Sequence, residues 1–362
     1  MAPLSIASPA VRRIVVFRAL MLGDMLCATP ALRALRAGYP QAHIALVGLP
    51  WAAELARRLA CIDEFIEFPG HPELPERRCD AETLAAFTAR IRERRFDLAV
   101  QLHGSGSVVN PLVASFGAVT TAGFRTVDGW CPDADRPAWT SWPARGHEIE
   151  RLLALTDHLG LPRQGLQLDF PVNDADRAAL REAWSGIDDS RPFVCLHAGA
   201  QLASRRWRPS RFAAVADALH ASGRTVVLTG TPGEAELVAG VARRMRAPAI
   251  DLCGRTTLWT LGALLERAEL ILCNDTGISH VAAALARPSV VVSSGSDVAR
   301  WAPLERRLHE VLWQDMPCRP CSHSDCPCAS HECAEAVTVQ DVLAAVRRHG
   351  TGTVIQPQVC HA

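Results

Sequence analysis

The sequence contains no lysine: its 38 basic residues are all arginine, and 38 acidic residues balance them to a formal net charge of zero. A neutral chain without a clustered basic excess argues against a nucleic-acid partner. Arginine stays charged at physiological pH and presents a planar fork of donors, so any site here that needs a cation is built from that fork. Long apolar runs are missing as well, since none approaches the roughly 20 residues of a membrane-spanning helix. The stretch "MAPLSIASPAVRRIVVF" lacks the charged start, long apolar core and small-residue cleavage site of a signal peptide, so a cytoplasmic protein is expected. Cysteine, in contrast, is plentiful at 13. Most cysteines stand alone in apolar segments (Cys195, Cys253, Cys273), a pattern of reduced, buried thiols rather than a disulfide framework.

A chain of 362 residues exceeds one comfortable hydrophobic core, so two domains are expected. Short apolar runs at 13–18, 43–48, 64–68, 97–102 and 120–124 read as strands, with amphipathic helical stretches between them. The plan repeats at 193–199, 224–230, 248–253, 269–274 and 288–294, separated by helical runs at 209–221, 233–245, 257–267 and 277–286. Fully apolar strands alternating with helices predict an α/β chain with two doubly wound parallel sheets, covered on both faces. The rhythm breaks between about 125 and 190, where "LPRQGLQLDFPVNDADR" resembles a linker. The expected domains are therefore 1–172 and 173–350, with 351–362 a disordered tail. In such sheets ligands bind beyond the carboxyl ends of the strands.

The chemistry-bearing residues gather at those ends. In "CNDTGISHVAAALA" a strand hands over to a helix through Asp275, Thr276 and Gly277, with His280 three residues past the glycine. Backbone N–H groups at a helix start lack partners and carry part of the positive dipole, which makes an anion site. Asp, Thr and Ser are also ordinary capping residues, so plain capping competes with that reading. "LHAGAQLASRRWRPSRF" carries Arg205 on a loop after a strand, where it could pair with a diphosphate or simply be solvated. Glu234 in "LTGTPGEAELV" could accept from ribose hydroxyls or complement a helix dipole. Gly23 and Asp24 in "IVVFRALMLGDML" lie in a loop between the first strand and a helix, where Asp24 either caps or acts chemically.

Together "LGDML", "RRWRPSRF", "GTPGE" and above all "NDTGISHVAAAL" resemble glycosyltransferase family 9, the bacterial heptosyltransferases of lipopolysaccharide core assembly. The resemblance implies a GT-B fold of two Rossmann-like domains facing across a cleft, the N-terminal one for the acceptor and the C-terminal one for the nucleotide sugar. Asp24 matches the general base. Asp275, Thr276, Gly277 and His280 match the donor-binding turn, and Glu234 a carboxylate near the nucleoside. Arg205 matches a position usually held by lysine, and Thr256 belongs to a segment beside the base. Gly23, His103 and Gly104 would serve the acceptor. In "QLHGSGS", Gln101 and His103 stand where the family often has an Asp-x-Gln-Gly pattern. The implied activity is inverting, metal-independent transfer of heptose from ADP-heptose to an inner-core acceptor of the lipid A–Kdo type. The implied enzyme is cytoplasmic and peripheral on the inner face of the inner membrane, needs no cofactor for catalysis, and has a lipid-linked saccharide as partner.

Three other readings stand beside it: the same donor chemistry on protein Ser or Thr, as for autotransporters; a nucleotide-sugar epimerase or hydrolase; and a metal or redox module. The last draws on "CRPCSHSDCPCASHEC". There Cys318, Cys321, Cys326 and Cys333 fit either a structural zinc or iron site or a loop of free thiols.

Overall fold

The computed structural model describes residues 11–186, 191–328 and 330–349, and the chain divides into two units, Met1–Pro171 and Val172–Ala362. The expected disordered tail, 351–362, lies outside the described residues. Among the described residues no helix is long and apolar enough to cross a membrane.

The first unit runs β1 (Arg13–Phe17), α1 (Leu22–Gly38), β2 (His43–Gly48), α2 (Ala53–Arg58), β3 (Glu64–Glu67), α3 (Ala81–Glu93), β4 (Leu98–Gln101), α4 (Val109–Ala114), β5 (Thr120–Arg125), β6 (Trp139–Ser141) and α5 (Glu148–His158). Its sheet has the order β3-β2-β1-β4-β5-β6, with every pair parallel. Val15 and Phe17 of β1, Ala45 and Val47 of β2 and Ala99 of β4 pack with Phe68, Phe87, Phe96 and Phe116. The alternate residues Ile14, Val16, Ile44, Leu46, Leu98 and Val100 are buried just as fully. Burial on both faces is why these strands are unbroken apolar runs instead of alternating ones.

The second unit runs α6 (Asp174–Ala183), β7 (Phe193–His197), α7 (Pro209–Ala221), β8 (Thr225–Thr229), α8 (Ala235–Ala242), β9 (Ile250–Asp251), α9 (Leu258–Leu265), β10 (Leu270–Asn274), α10 (Gly277–Ala284), β11 (Ser289–Val292), α11 (Val298–Trp301), β12 (His309–Leu312), α12 (Glu332–Glu335) and α13 (Val339–His349). The order β12-β11-β10-β7-β8-β9 repeats that of the first sheet, again wholly parallel. One face of this sheet packs on Trp207, Phe212 and Val215, and on Val342, Ala345 and Val346 of α13.

Each chain path starts in the middle of its sheet, winds to one edge, then returns to the middle and winds to the other. The order therefore reverses between β1 and β4 in the first unit and between β7 and β10 in the second. At such a switch point the connections leave in opposite directions and open a crevice at the strands' carboxyl ends.

Two local expectations are corrected. The segment read as a linker turns helical at Asp174, because Asn173 and Asp176 form a reciprocal capping box, each side chain accepting the other's backbone N–H. Gly23 and Asp24 sit not in a loop but in the first turn of α1, which begins only five residues after β1 ends and continues through Pro30.

Candidate active site

In the first unit the switch point is lined by the segments after β1 and β4, and these carry Gly23, Asp24, His103 and Gly104. A buried arginine joins the two segments. Arg18, 1% exposed, donates through Nε and Nη2 to the Asp24 carbonyl at 2.9 and 2.6 Å, and through Nη1 to the Leu102 carbonyl. Its charge is met by Glu148 of α5 at 3.6 Å, which also faces Arg151 at 3.8 Å. The first turn of α1, with Asp24 half-buried in it, is thus fixed to the end of β4 and to α5.

A second chain of bonds continues from there. His103 Nδ1 accepts from the Ala19 N–H at 3.1 Å, and the His103 N–H donates to Gln101 Oε1 at 3.1 Å. Gln101 Nε2 donates to the Gly104 carbonyl (3.1 Å) and to Asn110 Oδ1 (2.9 Å). Asn110 Nδ2 in turn donates to the Phe124 and Trp130 carbonyls, both at 3.0 Å. Three connections, after β1, β4 and β5, are held by this one network. Gly106 has φ +91°, and a Cβ there would lie 2.0 Å from Asn110 Oδ1, so the network needs glycine at that position. Burial, with Arg18 adding its charge, pushes the His103 pKa down to about 3. The ring is therefore neutral at physiological pH, and with Nδ1 accepting, Nε2 carries the proton.

In the second unit the switch point lies between β7 and β10, and the segments after them carry Arg205 and the Asp275–Gly277 turn. Asn274, fully buried at the end of β10, accepts from the Trp207 N–H at 2.9 Å and donates to the Ala198 carbonyl at 2.7 Å. It thereby clamps both ends of the Arg205 loop. Asp275 donates its N–H to the Val292 carbonyl at 3.0 Å, and its Oδ2 accepts from Ser296 Oγ. Thr276 caps α10, its Oγ1 accepting from the Ile278 N–H, while Ser279 Oγ donates back to the Thr276 carbonyl at 2.7 Å. The start of α10 is thus capped from within its own turn. His280, 5% exposed, is turned inward with its ring centroid 6.2 Å from that of Trp301.

Glu234 and Thr256 lie on the other flank, at the ends of β8 and β9. Glu234 Oε2 accepts from the Thr231 N–H and Oγ1 at 2.8 and 2.9 Å. Its carboxylate lies against Gly199, where a Cβ would come within 2.0 Å of Oε1. His197, at the end of β7, bonds Thr229 Oγ1 at 3.1 Å; burial lowers its pKa, opposed in part by Glu234. Thr256 is half-buried between β9 and α9.

The four cysteines weighed as a structural metal site form no metal-binding group among the described residues. Cys321 lies against Gly295, its N–H donating to the Gly295 carbonyl at 2.6 Å, whereas Cys333 is buried in α12 and its thiol pKa is raised chiefly by that burial. Cys318 is exposed and Cys326 partly so. Among the described residues no three His, Cys, Asp or Glu side chains form a group that could hold a metal ion, and the described cysteines are free thiols. What sequence reading missed is the role of this segment's Arg319, which donates to Ser293 and Ser296 beside Asp275. Arg18 and Asn110 were missed too, and Asn274, though part of the "NDTG" motif, was given no role of its own. The strand-end position of Arg18 and Asn274 was the available signal, whereas Asn110 lies in α4; buried partners, not spacing, give all three their work.

Two wholly parallel sheets of the same reversed order, each with polar and charged residues at its switch point, define a protein of the two-domain Rossmann-like GT-B class. The chain belongs to glycosyltransferase family 9 (heptosyltransferase), whose model matches residues 84–331, and is accordingly a glycosyltransferase. It is 29% identical over 315 residues to lipopolysaccharide heptosyltransferase 2 of Salmonella typhimurium, an alignment covering 83% of this chain and 87% of that one. Among solved structures it is similar to a family 9 glycosyltransferase from Veillonella parvula, at TM-score 0.76 and 23% identity over 93% of this chain and 96% of that one. It is similar also to E. coli ADP-heptose lipopolysaccharide heptosyltransferase II, at TM-score 0.71 and 23% identity over 93% and 97%.

Proposed function

We propose that this protein transfers a heptose from an ADP-heptose donor to a lipid-linked core saccharide of lipopolysaccharide, with inversion and without a divalent metal. The observation that carries the reading is the convergence, at the switch point of the second sheet, of the α10 N-terminus and the Arg205 loop. An ADP-heptose donor has a diphosphate leaving group, and negative charge grows on it as the anomeric C–O bond breaks. The start of α10, with its share of the positive helix dipole, and the Arg205 guanidinium are suited to that charge, and such preorganised groups supply what a metal otherwise would. Arg205 Nε and Ser294 Oγ are buried without a hydrogen-bond partner among the described residues, so polar capacity remains unspent there. Glu234 would accept from the ribose hydroxyls, with Thr256 beside the base.

Asp24 would take the proton of the acceptor hydroxyl as its oxygen attacks the anomeric carbon from the face opposite the departing ADP. The proton ends on the carboxylate, the new glycosidic bond replaces the old one, and configuration inverts. Gly23, Gly104 and the His103 Nε2–H would serve the acceptor. The names of the relatives support both donor and acceptor class. With no long apolar helix among the described residues, a lipid-linked acceptor would be met at the inner membrane surface.

Calorimetric titration with ADP, UDP and GDP in metal-free buffer tests the reading. ADP should bind selectively, and Arg205→Ala should weaken it about tenfold or more, the worth of a charged hydrogen-bonding group. Preference for UDP or GDP would discard the heptose donor. No binding at all would discard the site.

A further inference from the structure

The cysteine-rich segment, which holds no metal group among its described residues, is tied to both donor loops of the second unit. Cys321 donates its N–H to the Gly295 carbonyl at 2.6 Å and accepts from Arg205 Nη2 at 2.8 Å. Ser204, next to Arg205, donates through Oγ to the His323 carbonyl (2.6 Å) and through N–H to the Ser324 carbonyl (3.0 Å). The Ser204 carbonyl lies 2.8 Å from His331 Nε2. Such a strap could be mere packing were it not for the side chain at its start. Arg319 Nη1 donates to the Ser293 carbonyl at 2.8 Å, and Nη2 to the Ser296 carbonyl at 2.8 Å and Ser293 Oγ at 3.2 Å. The two serine hydroxyls are 2.8 Å apart, and Ser296 Oγ donates to Asp275 Oδ2.

We infer that Arg319 is a positioning residue of the donor site, acting on Asp275 through the Ser293–Ser296 turn; the inference rests on the donor reading above. A carboxylate beside a helix start that is to receive a diphosphate adds charge of the wrong sign. A guanidinium held on the same turn offsets that charge, and by fixing Ser296 it also fixes which carboxylate oxygen is engaged. The task suits arginine, since one planar fork reaches two carbonyls and a hydroxyl at once, which a single ammonium does poorly. The fork is itself held in place: it is half-buried, and its guanidinium carbon lies 5.3 Å from the Trp313 ring centroid. Burial lowers the Arg319 pKa, with Cys333 and then Asp275 pulling the other way and Arg205 adding to the lowering.

The test is a double-mutant cycle read by ADP titration, with thermal unfolding measured on each protein. Arg319→Gln should weaken ADP binding about 10- to 100-fold, and Arg319→Lys should recover part of that loss. In an Asp275→Asn background, Arg319→Gln should cost little more, since the charge it offsets is gone. Additive losses would overturn the inference in favour of a direct ligand contact. So would losses that track the unfolding temperature alike in the Gln and Lys variants, because they would mark a structural role only. If the wild-type protein binds no ADP, the donor reading falls and this inference with it. Binding by the wild type with additive variants removes the inference alone.

Discussion

In the proposed reaction Asp24 is the general base, and such a base works only within hydrogen-bond reach of the proton it removes. The Arg18 guanidinium grips the Asp24 carbonyl through two nitrogens, so the backbone that carries the acid is fixed. That arrangement predicts a clean separation of effects. Asp24→Asn keeps shape and loses basicity, so turnover should fall about 100- to 10,000-fold. ADP affinity should stay within about twofold, since the base contributes to the chemical step and not to donor binding. Turnover assays and ADP titration on the same preparation check both. An Asp24→Asn protein that turns over normally would remove the base assignment, and one that no longer binds ADP would make Asp24 a donor-site residue instead.

At the scale of elements, the junction between β10 and the loop after β7 is where two buried backbone groups depend on one side chain. Asn274→Ala strands the Trp207 N–H and the Ala198 carbonyl away from water. Each unsatisfied buried group costs about 1–3 kcal/mol, so the loss should be about 2–6 kcal/mol in chemical unfolding. The loop that carries Arg205 loosens with it, so ADP binding should weaken too; an undiminished unfolding midpoint would show that water replaces Asn274. The acid–hydroxyl–glycine turn Asp275–Gly277 was legible in the sequence because its residues serve local ends: capping and the strand-to-helix handover. The central strands were legible because both of their faces are buried. The edge strands β6 and β12 were not. β6 has only three residues among Pro and Trp, and β12 reads "HEVL" with just one residue fully buried, so neither forms an apolar run. Helix α6 was hidden by its polar composition, although its Asn173/Asp176 capping box stood in the open. Arg319 was illegible for another reason: its partners lie more than twenty residues away and are mostly carbonyls, which leave no mark in a sequence.

For the molecule as a whole, each unit carries a histidine that folding keeps neutral. Burial pushes His103 in the first unit down to about 3, and His309 in the second down to about 4, where its Nδ1 shares a hydrogen bond with Ser289 Oγ at 2.8 Å. In the unfolded chain both would titrate near 6.5. Between those values the unfolded state binds more protons than the folded one, so stability rises with pH across that window. It is fully present above about pH 6.5 and is lost as pH falls towards 4 for His309 and 3 for His103. By pH 5 each histidine should have withdrawn about 2 kcal/mol. Partnered carboxylates such as Asp63, Glu64 and Glu310, whose pKa values are lowered, act only below their ordinary range near 4, so the interval from pH 6.5 to 5 belongs to histidine. Urea unfolding at pH 7.5 and 5.0 should therefore differ clearly for the wild type, and less for His309→Gln and His103→Gln, each of which removes one such titration while His197, also lowered by burial, keeps its own. A wild-type midpoint that stays flat down to pH 5 would mean that these rings are solvated in the folded protein, and the neutral His103 offered to the acceptor would fall with that result.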